Sequence, residues 1–475
     1  MASTDISMSP VATTPEKTPT IDTAAIERDR NVGEAIICSL PPELLGQIFV
    51  TVQQDFRETQ KSPDCGKPAE IALSQVCCYW RCVSYGTSIL WAHIYVSSRH
   101  PISLASLEVY LQNSHRRPLT ITFDRSDKYK SGLFLSWAWP KLVEHISRWY
   151  SVSILAHSIP ILHQTLIALR QLSAPILHDL SILCEDELDQ IGNRHLLLSK
   201  GVPRLKRFHL DGFPGSRFVF PRTHLETFTM KTSHTVWDFE KDFRPLIQTF
   251  KSLVHLSIQG FKSGELLPPD ERLLMDSLRT LRVVYNHNVR ANKHDQFWKL
   301  IDAPLLETLQ LVGAQERDIE RTSTLFEQLE HHNIYPALQM LVLDHCDLEN
   351  GSGETLTVLF PSVKNLACVP SDAANIDALG SIVDGCTGVT SVYVAGDPLN
   401  LNIGAEATRL ALETAQFNHD PVSVFFMNLE SSDKSREANF MDFPLSFSGW
   451  EKVKALPTLN GLPSPTDPTT ISLRT

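Results

Sequence analysis

Residues 39–49 read SLPPELLGQIF, and the helical pattern that begins there continues as LSQVCCYWR at 73–81 and LWAHI at 90–94. Apolar residues recur at three- and four-residue spacing, which predicts two amphipathic helices and a short third piece. Ser39 can cap the first helix, and a proline near the first helical position already has helical geometry. Two short helices cannot hide so many large apolar side chains against each other. Some of these side chains must therefore face another surface. The apolar residues are Leu44, Leu45, Ile48, Phe49 and Val52 in the first helix and Leu73, Val76, Cys77, Trp80 and Val83 in the second.

This order of motifs resembles an F-box of the fungal F-box-like type, with its Leu-Pro-Pro-Glu-Leu-Leu-x-x-Ile-Phe opening, Val-Cys-x-x-Trp-Arg middle and Leu-Trp-x-x-Ile close. The long polar segment 56–70 resembles the enlarged loop that this subtype often has. The resemblance implies a three-helix domain that binds the Skp-type adaptor of a cullin-RING ubiquitin ligase. Carried over by position, it implies that Trp91 is an internal support. It implies adaptor contacts at Leu40, Pro41, Leu44, Leu45, Ile48, Phe49, Val76, Cys77, Trp80 and Arg81. The alternative that several of these residues, among them Leu45, Val76 and Trp80, form the module's own core stays open.

The long middle of the chain repeats a six-residue unit with apolar residues at positions 1, 4 and 6. Such triplets also arise by chance, so the evidence for a repeat is their regular spacing of 20 to 32 residues. Several units open with a residue followed by proline, which cannot continue a helix and so separates a helix from the next strand. The units begin at Trp149, Leu177, Leu205, Leu225, Leu253, Leu278, Leu306, Leu338, Val363 and Val389, and the proline turns are Ala174-Pro175, Val202-Pro203, Ala303-Pro304, Tyr335-Pro336 and Phe360-Pro361.

Helix-like stretches between these units predict an alternation of strand and helix, and therefore parallel strands with right-handed crossovers. The pattern resembles irregular leucine-rich repeats. The usual Asn or Cys after the strand is mostly missing, and Gly212, Gly260, Gly313 and Cys346 stand near its place. The predicted fold class is α/β, with an N-terminal three-helix F-box followed by a curved leucine-rich-repeat-like solenoid of parallel strands. The helices are predicted at 186–198, 237–250, 295–301, 322–331 and 372–384.

Five segments are predicted along the chain. They are a disordered arm at 1–35, the F-box-like domain at 36–98, a bridging helix and irregular strand at 99–140, the solenoid at 141–429 and a mostly disordered tail at 430–475. The bridging helix is expected at 104–111 and the irregular strand at 117–123, and a strand at 422–426 is expected to close the sheet. Three Ser/Thr-Pro dipeptides in the arm match the minimal pattern of proline-directed phosphorylation sites.

Composition excludes several classes of function. The net charge of −11 argues against a nucleic-acid footprint, which needs a basic face. The start of the sequence has no secretory pattern, and no stretch approaches the roughly 20 apolar residues of a membrane helix. Nine cysteines are far fewer than a disulfide scaffold has. We therefore expect an intracellular protein, in the cytoplasm or the nucleus, with no membrane or nucleic-acid partner.

No catalytic constellation rises above chance. Cys77, Cys78 and Cys82, with Cys65 nearby, have the wrong spacing for a paired zinc knuckle, and core packing is the favoured interpretation. The run Asp344-His345-Cys346 has nucleophile, base and acid residue types, but neighbouring strand residues point to opposite faces. We therefore expect no enzyme activity, no cofactor and no metal.

The function that follows is a substrate receptor, in which the F-box binds the adaptor and, through it, a cullin, while the concave sheet face binds an unknown target protein. An F-box scaffold that acts without a cullin is the first alternative, and an unrecognised enzyme on a repeat scaffold is the second. Positions expected to face outward from the sheet are His209, Asp211, Ser257, Gln259, Arg282, Gln310, Asp344 and Tyr393.

Overall fold

The computed structural model describes just over half of the chain, in segments, and the description below concerns these segments alone. They are residues 36–59, 68–97, 102–125, 135–185, 195–212, 218–219, 224–231, 237–238, 243–259, 261–262, 273–285, 301–315, 335–346, 352–369, 388–396, 423–428 and 451–452. The predicted arm at 1–35, almost all of the predicted tail and the predicted helices at 322–331 and 372–384 lie outside the described residues.

The chain divides into two compact units, Met1–Trp91 and Ala92–Thr475. The first unit is helical. Its elements are a 3₁₀ turn at Ile36–Ser39, helix α1 at Pro42–Thr59, helix α2 at Ala69–Ser74, helix α3 at Cys78–Gly86 and a second 3₁₀ turn at Ser88–Trp91. Ser39 lies in the first 3₁₀ turn and not at the helix start, because α1 begins at Pro42. The carbonyl of Pro41 accepts the first hydrogen bonds of the helix.

The second predicted helix of this unit is interrupted, which corrects the sequence prediction. The chain leaves helical geometry after Ser74, and Cys77 is extended, with φ −155° and ψ 175°. Its Sγ accepts a hydrogen bond from the backbone N–H of Trp80 at 3.4 Å and so caps the third helix. The predicted third piece, residues 90–94, is also divided. Leu90 and Trp91 end the second 3₁₀ turn, and His93 and Ile94 begin a strand of the second unit.

The second unit is built on one 14-stranded sheet in which the strands follow one another in chain order. Every neighbouring pair is parallel except the last, which is antiparallel. The strands are β1 His93–Ser97, β2 Leu119–Arg125, β3 Trp149–Ala156, β4 Asp179–Cys184, β5 Arg207–Asp211, β6 Thr227–Lys231, β7 His255–Gln259, β8 Thr280–Val284, β9 Thr308–Val312, β10 Met340–Asp344, β11 Asn365–Val369, β12 Ser391–Gly396, β13 Ser423–Asn428 and β14 Glu451–Lys452. All ten predicted repeat units contribute a strand, from β3 to β12, and this one-strand-per-repeat order is consistent with a leucine-rich-repeat-like fold.

The repeats that open with a proline turn start with the same geometry. In all five proline turns, the residue before proline accepts a hydrogen bond from the residue two after proline, as Ala174 accepts from Leu177 at 3.2 Å. The carbonyl just before a strand then accepts from two successive N–H groups of the next repeat, as His178 accepts from Lys206 and Arg207. Carbonyls that do this belong to His178, Lys206, Glu226, Val254, Arg279, Glu307, Gln339 and Lys364.

The core of the second unit lies on one face of the sheet. Positions 4 and 6 of the repeat, such as Phe208 and Leu210, point to this face and are buried, and position 1 is buried just before the strand. The described helices of this unit are α4 Leu104–Asn113, α5 Leu135–Val143, α6 Ile159–Ile167, α7 Arg244–Ile247 and α8 Ser352–Leu359.

The segments between the strands differ from the prediction. His195–Leu196 pairs with Phe218–Val219, Trp237–Asp238 with Phe261–Lys262, and Leu273–Leu274 with Ile301–Asp302, each as a two-stranded parallel sheet. Of the predicted helix at 237–250, the described residues are the strand Trp237–Asp238 and residues 243–250, which contain α7. Of the predicted helices at 186–198 and 295–301, only residues 195–198 and residue 301 are described, and His195–Leu196 and Ile301 lie in strands. The bridging helix and irregular strand are α4 and β2, and both belong to the sheet unit.

Protonation of His209 couples the stability of the sheet unit to pH. Burial, and secondarily the charge of Lys231, lowers the pKa of His209 from 6.5 to about 4. Between these values the unfolded chain binds a proton that the folded chain does not bind. The free energy of unfolding is therefore unaffected by this group above pH 6.5 and falls as the pH falls towards 4, by about 3 kcal/mol. Denaturant unfolding at several pH values should show that His209→Gln loses less stability than the parent between pH 6.5 and 4. Equal losses would contradict this assignment.

Gly212 follows β5 with φ +81°, and a Cβ at this position would lie 2.2 Å from the carbonyl oxygen of Cys184. Gly201 also has positive φ, at +111°, but a Cβ there meets nothing within 4 Å. Gly201→Ala therefore measures the cost of the backbone conformation alone, about 1 kcal/mol. We expect Gly212→Ala to lower the free energy of unfolding by roughly 3 kcal/mol or more, since the backbone must also move. Equal losses in the two variants, measured by denaturant unfolding, would show that the close approach to Cys184 is unimportant.

Candidate docking site

Helix α1 has two apolar faces. Leu45 and Phe49 are completely buried, and the Phe49 ring packs on the ring of Trp80 with 4.9 Å between centroids. One position earlier in each turn, Leu44, Ile48 and Val52 are 49%, 42% and 41% exposed. Residues four apart lie above one another on a helix, so these three form a continuous row, here named the apolar strip.

Gln53 fixes the helix beneath the strip. Its side chain is buried in line with Leu45 and Phe49, and its Nε2 donates to Glu70 Oε2 at 2.6 Å and to the carbonyl of Leu90 at 2.9 Å. One amide group thereby joins α1 to α2 and to the second 3₁₀ turn. The orientation of the strip depends on this junction.

Gly46 and Tyr79 make two further contacts within the same unit. A Cβ on Gly46 would lie 2.8 Å from Thr87 Oγ1, so glycine lets α1 approach the end of α3 closely. The hydroxyl of Tyr79 donates to the carbonyl of Leu40 at 2.6 Å, which holds the chain just before α1. The strip is therefore presented by a packed support and not by an isolated helix.

The predicted adaptor contacts fall into two groups. Leu45 and Phe49 are fully buried and cannot touch a partner, which resolves the alternative left open for Leu45 and corrects the assignment of Phe49. Val76 lies in the interruption between α2 and α3 and is 60% exposed. Leu40, Cys77 and Trp80 are half-buried, and the exposed predicted residues are Pro41, Leu44, Ile48, Val76 and Arg81.

Val52 was not among the predicted contacts, although it completes the strip. Its four-residue spacing from Ile48 is the signal that could have found it. The next residue, Gln53, made the end of the helix look polar, and only the structure shows that the polar residue is the buried one. Arg81 is exposed, and its Nε donates to the carbonyl of Ser74 at 3.0 Å, across the interruption.

The predicted target contacts on the sheet are less accessible than expected. His209, Ser257 and Gln310 are buried, which corrects the expectation that they face outward. They stand in the central row of the sheet face opposite the core, where side chains on both neighbouring strands lie about 4.8 Å away. The predicted contacts that stay partly accessible are Asp211, Gln259, Arg282, Asp344 and Tyr393.

Polar groups on this face bind one another. Gln310 Nε2 donates to Asp344 Oδ2 at 3.1 Å. Burial lowers the pKa of Arg282, and the negative charge of Asp344 partly offsets this effect. Closer to the first strands, Arg207 Nη2 donates to Asp179 Oδ2 at 2.8 Å. Desolvation of Asp179 acts against its ionisation, but its hydrogen bonds from Arg207 and His178 prevail and lower its pKa.

The run of possible catalytic residue types at the end of β10 does not form a nucleophile–base pair. Burial raises the pKa of the Cys346 thiol to about 12, and its Sγ lies 3.3 Å from the carbonyl of Leu311. His345 Nδ1 is instead 2.7 Å from Asp344 Oδ1, and His345 has a left-handed backbone with φ +50°. Among the residues that the structure describes, no group of three or more His, Cys, Asp or Glu side chains could hold a metal ion.

The N-terminal cysteines are not packed in a core as predicted. Cys78 and Cys82 are exposed on α3, and Cys77 is partly exposed at its cap. Within the described segments no helix is long and apolar enough to cross a membrane.

Comparison with known proteins finds a similar solved structure but no matching family model or curated protein. Among solved structures, the chain is similar to a chain in the crystal structure of the Rad7 and Elc1 complex in yeast, with 12% identity and a TM-score of 0.30, over 89% of this chain and 100% of that chain. A likeness this weak supports no conclusion about function.

Replacing Gln53 tests the junction beneath the strip. Gln53→Leu keeps the approximate shape but removes the donor to the Glu70 carboxylate and the Leu90 carbonyl, so we expect a loss of about 2 kcal/mol in the free energy of unfolding. Gln54→Leu, at the exposed neighbouring position, is the matched control and should change stability by less than about 0.5 kcal/mol. Denaturant unfolding of the full chain, with hydrogen exchange in residues 42–59 as a local readout, measures both. Indistinguishable variants would contradict the role given to Gln53.

Proposed function

We propose that this chain is a non-catalytic substrate-receptor subunit of a cullin-RING ubiquitin ligase. In this proposal the helical unit binds a Skp-type adaptor, and the sheet unit binds a target protein. The observation that supports it best is the apolar strip on α1, because its three aliphatic side chains are exposed while their neighbours are packed. An exposed row of this kind is typical of a protein-binding helix.

The proposed adaptor surface consists of exposed residues only. Leu44, Ile48 and Val52 supply the apolar centre, and Pro41 and Val76 extend the accessible set. Leu45, Phe49 and Trp80 act beneath this surface, since their packing fixes the helix against the rest of the unit. Rigid support of this kind reduces the ordering cost of association.

The chemistry of such a receptor is proximity. A target held on the sheet unit has its lysines brought near the thioester of a charged ubiquitin-conjugating enzyme, so a bimolecular transfer becomes effectively intramolecular. The receptor itself contributes no acid, base or nucleophile to this step. The alternative is a scaffold that binds the adaptor but no cullin, and the composition of captured complexes separates the two.

Charges placed on the strip test the docking surface. Leu44→Asp and Ile48→Asp would each bury an unpaired carboxylate in the interface, so we expect binding of a purified Skp-type adaptor to weaken by roughly 100-fold or more. Leu305→Asp, at an exposed leucine in a turn of the sheet unit with 44% exposure, is the matched control and should leave adaptor binding unchanged. Titration calorimetry measures the affinity, and circular dichroism checks that the variants are folded.

Three outcomes decide the proposal. Adaptor binding that is unchanged in Leu44→Asp and Ile48→Asp, or absent in the parent protein, would overturn it. Equal weakening in Leu305→Asp would show that the strip is not the contact. A complex that contains adaptor but never cullin, isolated from cells with the proteasome inhibited, would replace the receptor role with the scaffold role.

A further inference from the structure

Two exposed thiols lie one helical turn apart on α3. Cys78 and Cys82 are both exposed, and the four-residue spacing places them on the same face of the helix. Cysteine is among the residue types that are most often buried, so a pair at the surface is unusual. Arg81 and Tyr85 are exposed on the same face, and none of these four side chains belongs to the apolar strip.

Helical geometry decides what can join the two sulfurs. Cβ atoms four residues apart on a helix are about 5–6 Å from each other. A disulfide needs a Cβ separation of about 3.5–4.5 Å, so direct oxidation of this pair would require α3 to unwind. A single thiophilic atom between the sulfurs, with two bonds of about 2.3 Å like those of zinc thiolates, spans the larger distance without unwinding the helix.

The four other cysteines whose side chains the structure describes are poor competitors for such an atom. Cys77 is turned towards the backbone, where its Sγ accepts the N–H of Trp80. Cys184, Cys346 and Cys368 are buried in the sheet unit. Burial also raises the pKa of the Cys346 and Cys368 thiols, which keeps both protonated at neutral pH.

We propose that Cys78 and Cys82 form a two-thiol site for trivalent arsenicals. An organic arsenic(III) oxide reacts with both thiols, two arsenic–sulfur bonds form, the arsenic–oxygen bond breaks, and the oxygen leaves as water with the two thiol protons. No oxidant or reductant is consumed, because arsenic stays trivalent and both sulfurs stay at the thiolate level. This proposal does not rest on the proposed adaptor binding.

Phenylarsine oxide is the probe for this site on the full chain. Intact mass spectrometry of the reduced protein should show one phenylarsenic group bound with loss of one water, and peptide mapping should place it on Cys78 and Cys82. Because the second thiol binds intramolecularly, Cys78→Ser and Cys82→Ser should each weaken binding by about 100-fold or more. Cys77→Ser is the matched control, since serine is itself a good N-cap, and it should keep parent affinity.

The outcomes are separable from a loss of folding. Circular dichroism of the serine variants, which differ from the parent by one atom at each substituted site, reports whether α3 is intact. Parent affinity in the Cys78→Ser/Cys82→Ser double variant would overturn the assignment, as would a bound group mapped to other cysteines. Equal weakening in Cys77→Ser would also overturn it, because the thiol at the cap would then be a ligand.

Discussion

The sheet depends on a fixed register between successive parallel strands. A slip of one residue would move every core side chain of a strand to the opposite face. The repeats therefore share one core only if each strand starts at the same level along its neighbour. At eight strand starts, from His178 to Lys364, a shared carbonyl sets that level, because two successive N–H groups of the next repeat bind its oxygen. The chain between these points varies from 20 to 32 residues per repeat without disturbing the register.

The ten strands of the repeats could be predicted because their signal is local. Alternation of apolar residues at positions 4 and 6 follows from the two-residue period of a strand, and proline marks the turn before it. The segments between strands could not be predicted in the same way. Trp237–Asp238 is a strand only because it pairs with Phe261–Lys262, more than twenty residues later, and a helical pattern in the sequence does not report that pairing.

The helical unit shows a second limit of pattern reading. Adjacent residues on a helix differ by about 100° in direction, so Leu44 and Leu45 have the same chemistry and opposite environments. The end of α1 even reverses the expected order, because Gln53 is buried with two hydrogen bonds and Val52 is exposed. Likewise Cys77 fits the apolar spacing of one long helix, whereas its sulfur caps a new one.

In α1 the polar residue Gln53 is buried while three apolar residues are exposed, and this arrangement costs folding free energy. Leaving Leu44, Ile48 and Val52 between 41% and 49% exposed forgoes roughly 0.6–1.5 kcal/mol for each side chain, about half of what full burial would contribute. The unit has a polar residue inside and apolar residues outside, so folding of the unit does not account for the strip, whereas the adaptor binding proposed above would account for it.

On the sheet, by contrast, His209, Ser257 and Gln310 in the central row are buried by their own neighbours, and Arg282 and Tyr393 in the same row stay partly accessible. Exposed pairs at the strand starts, such as Lys206 with Glu226, contribute about 0–1 kcal/mol each and can be exchanged for contacts to a partner. In a receptor of the proposed kind, target selection therefore belongs to the strand starts and ends and to Arg282 and Tyr393, while the buried residues of the central row maintain the spacing of these groups.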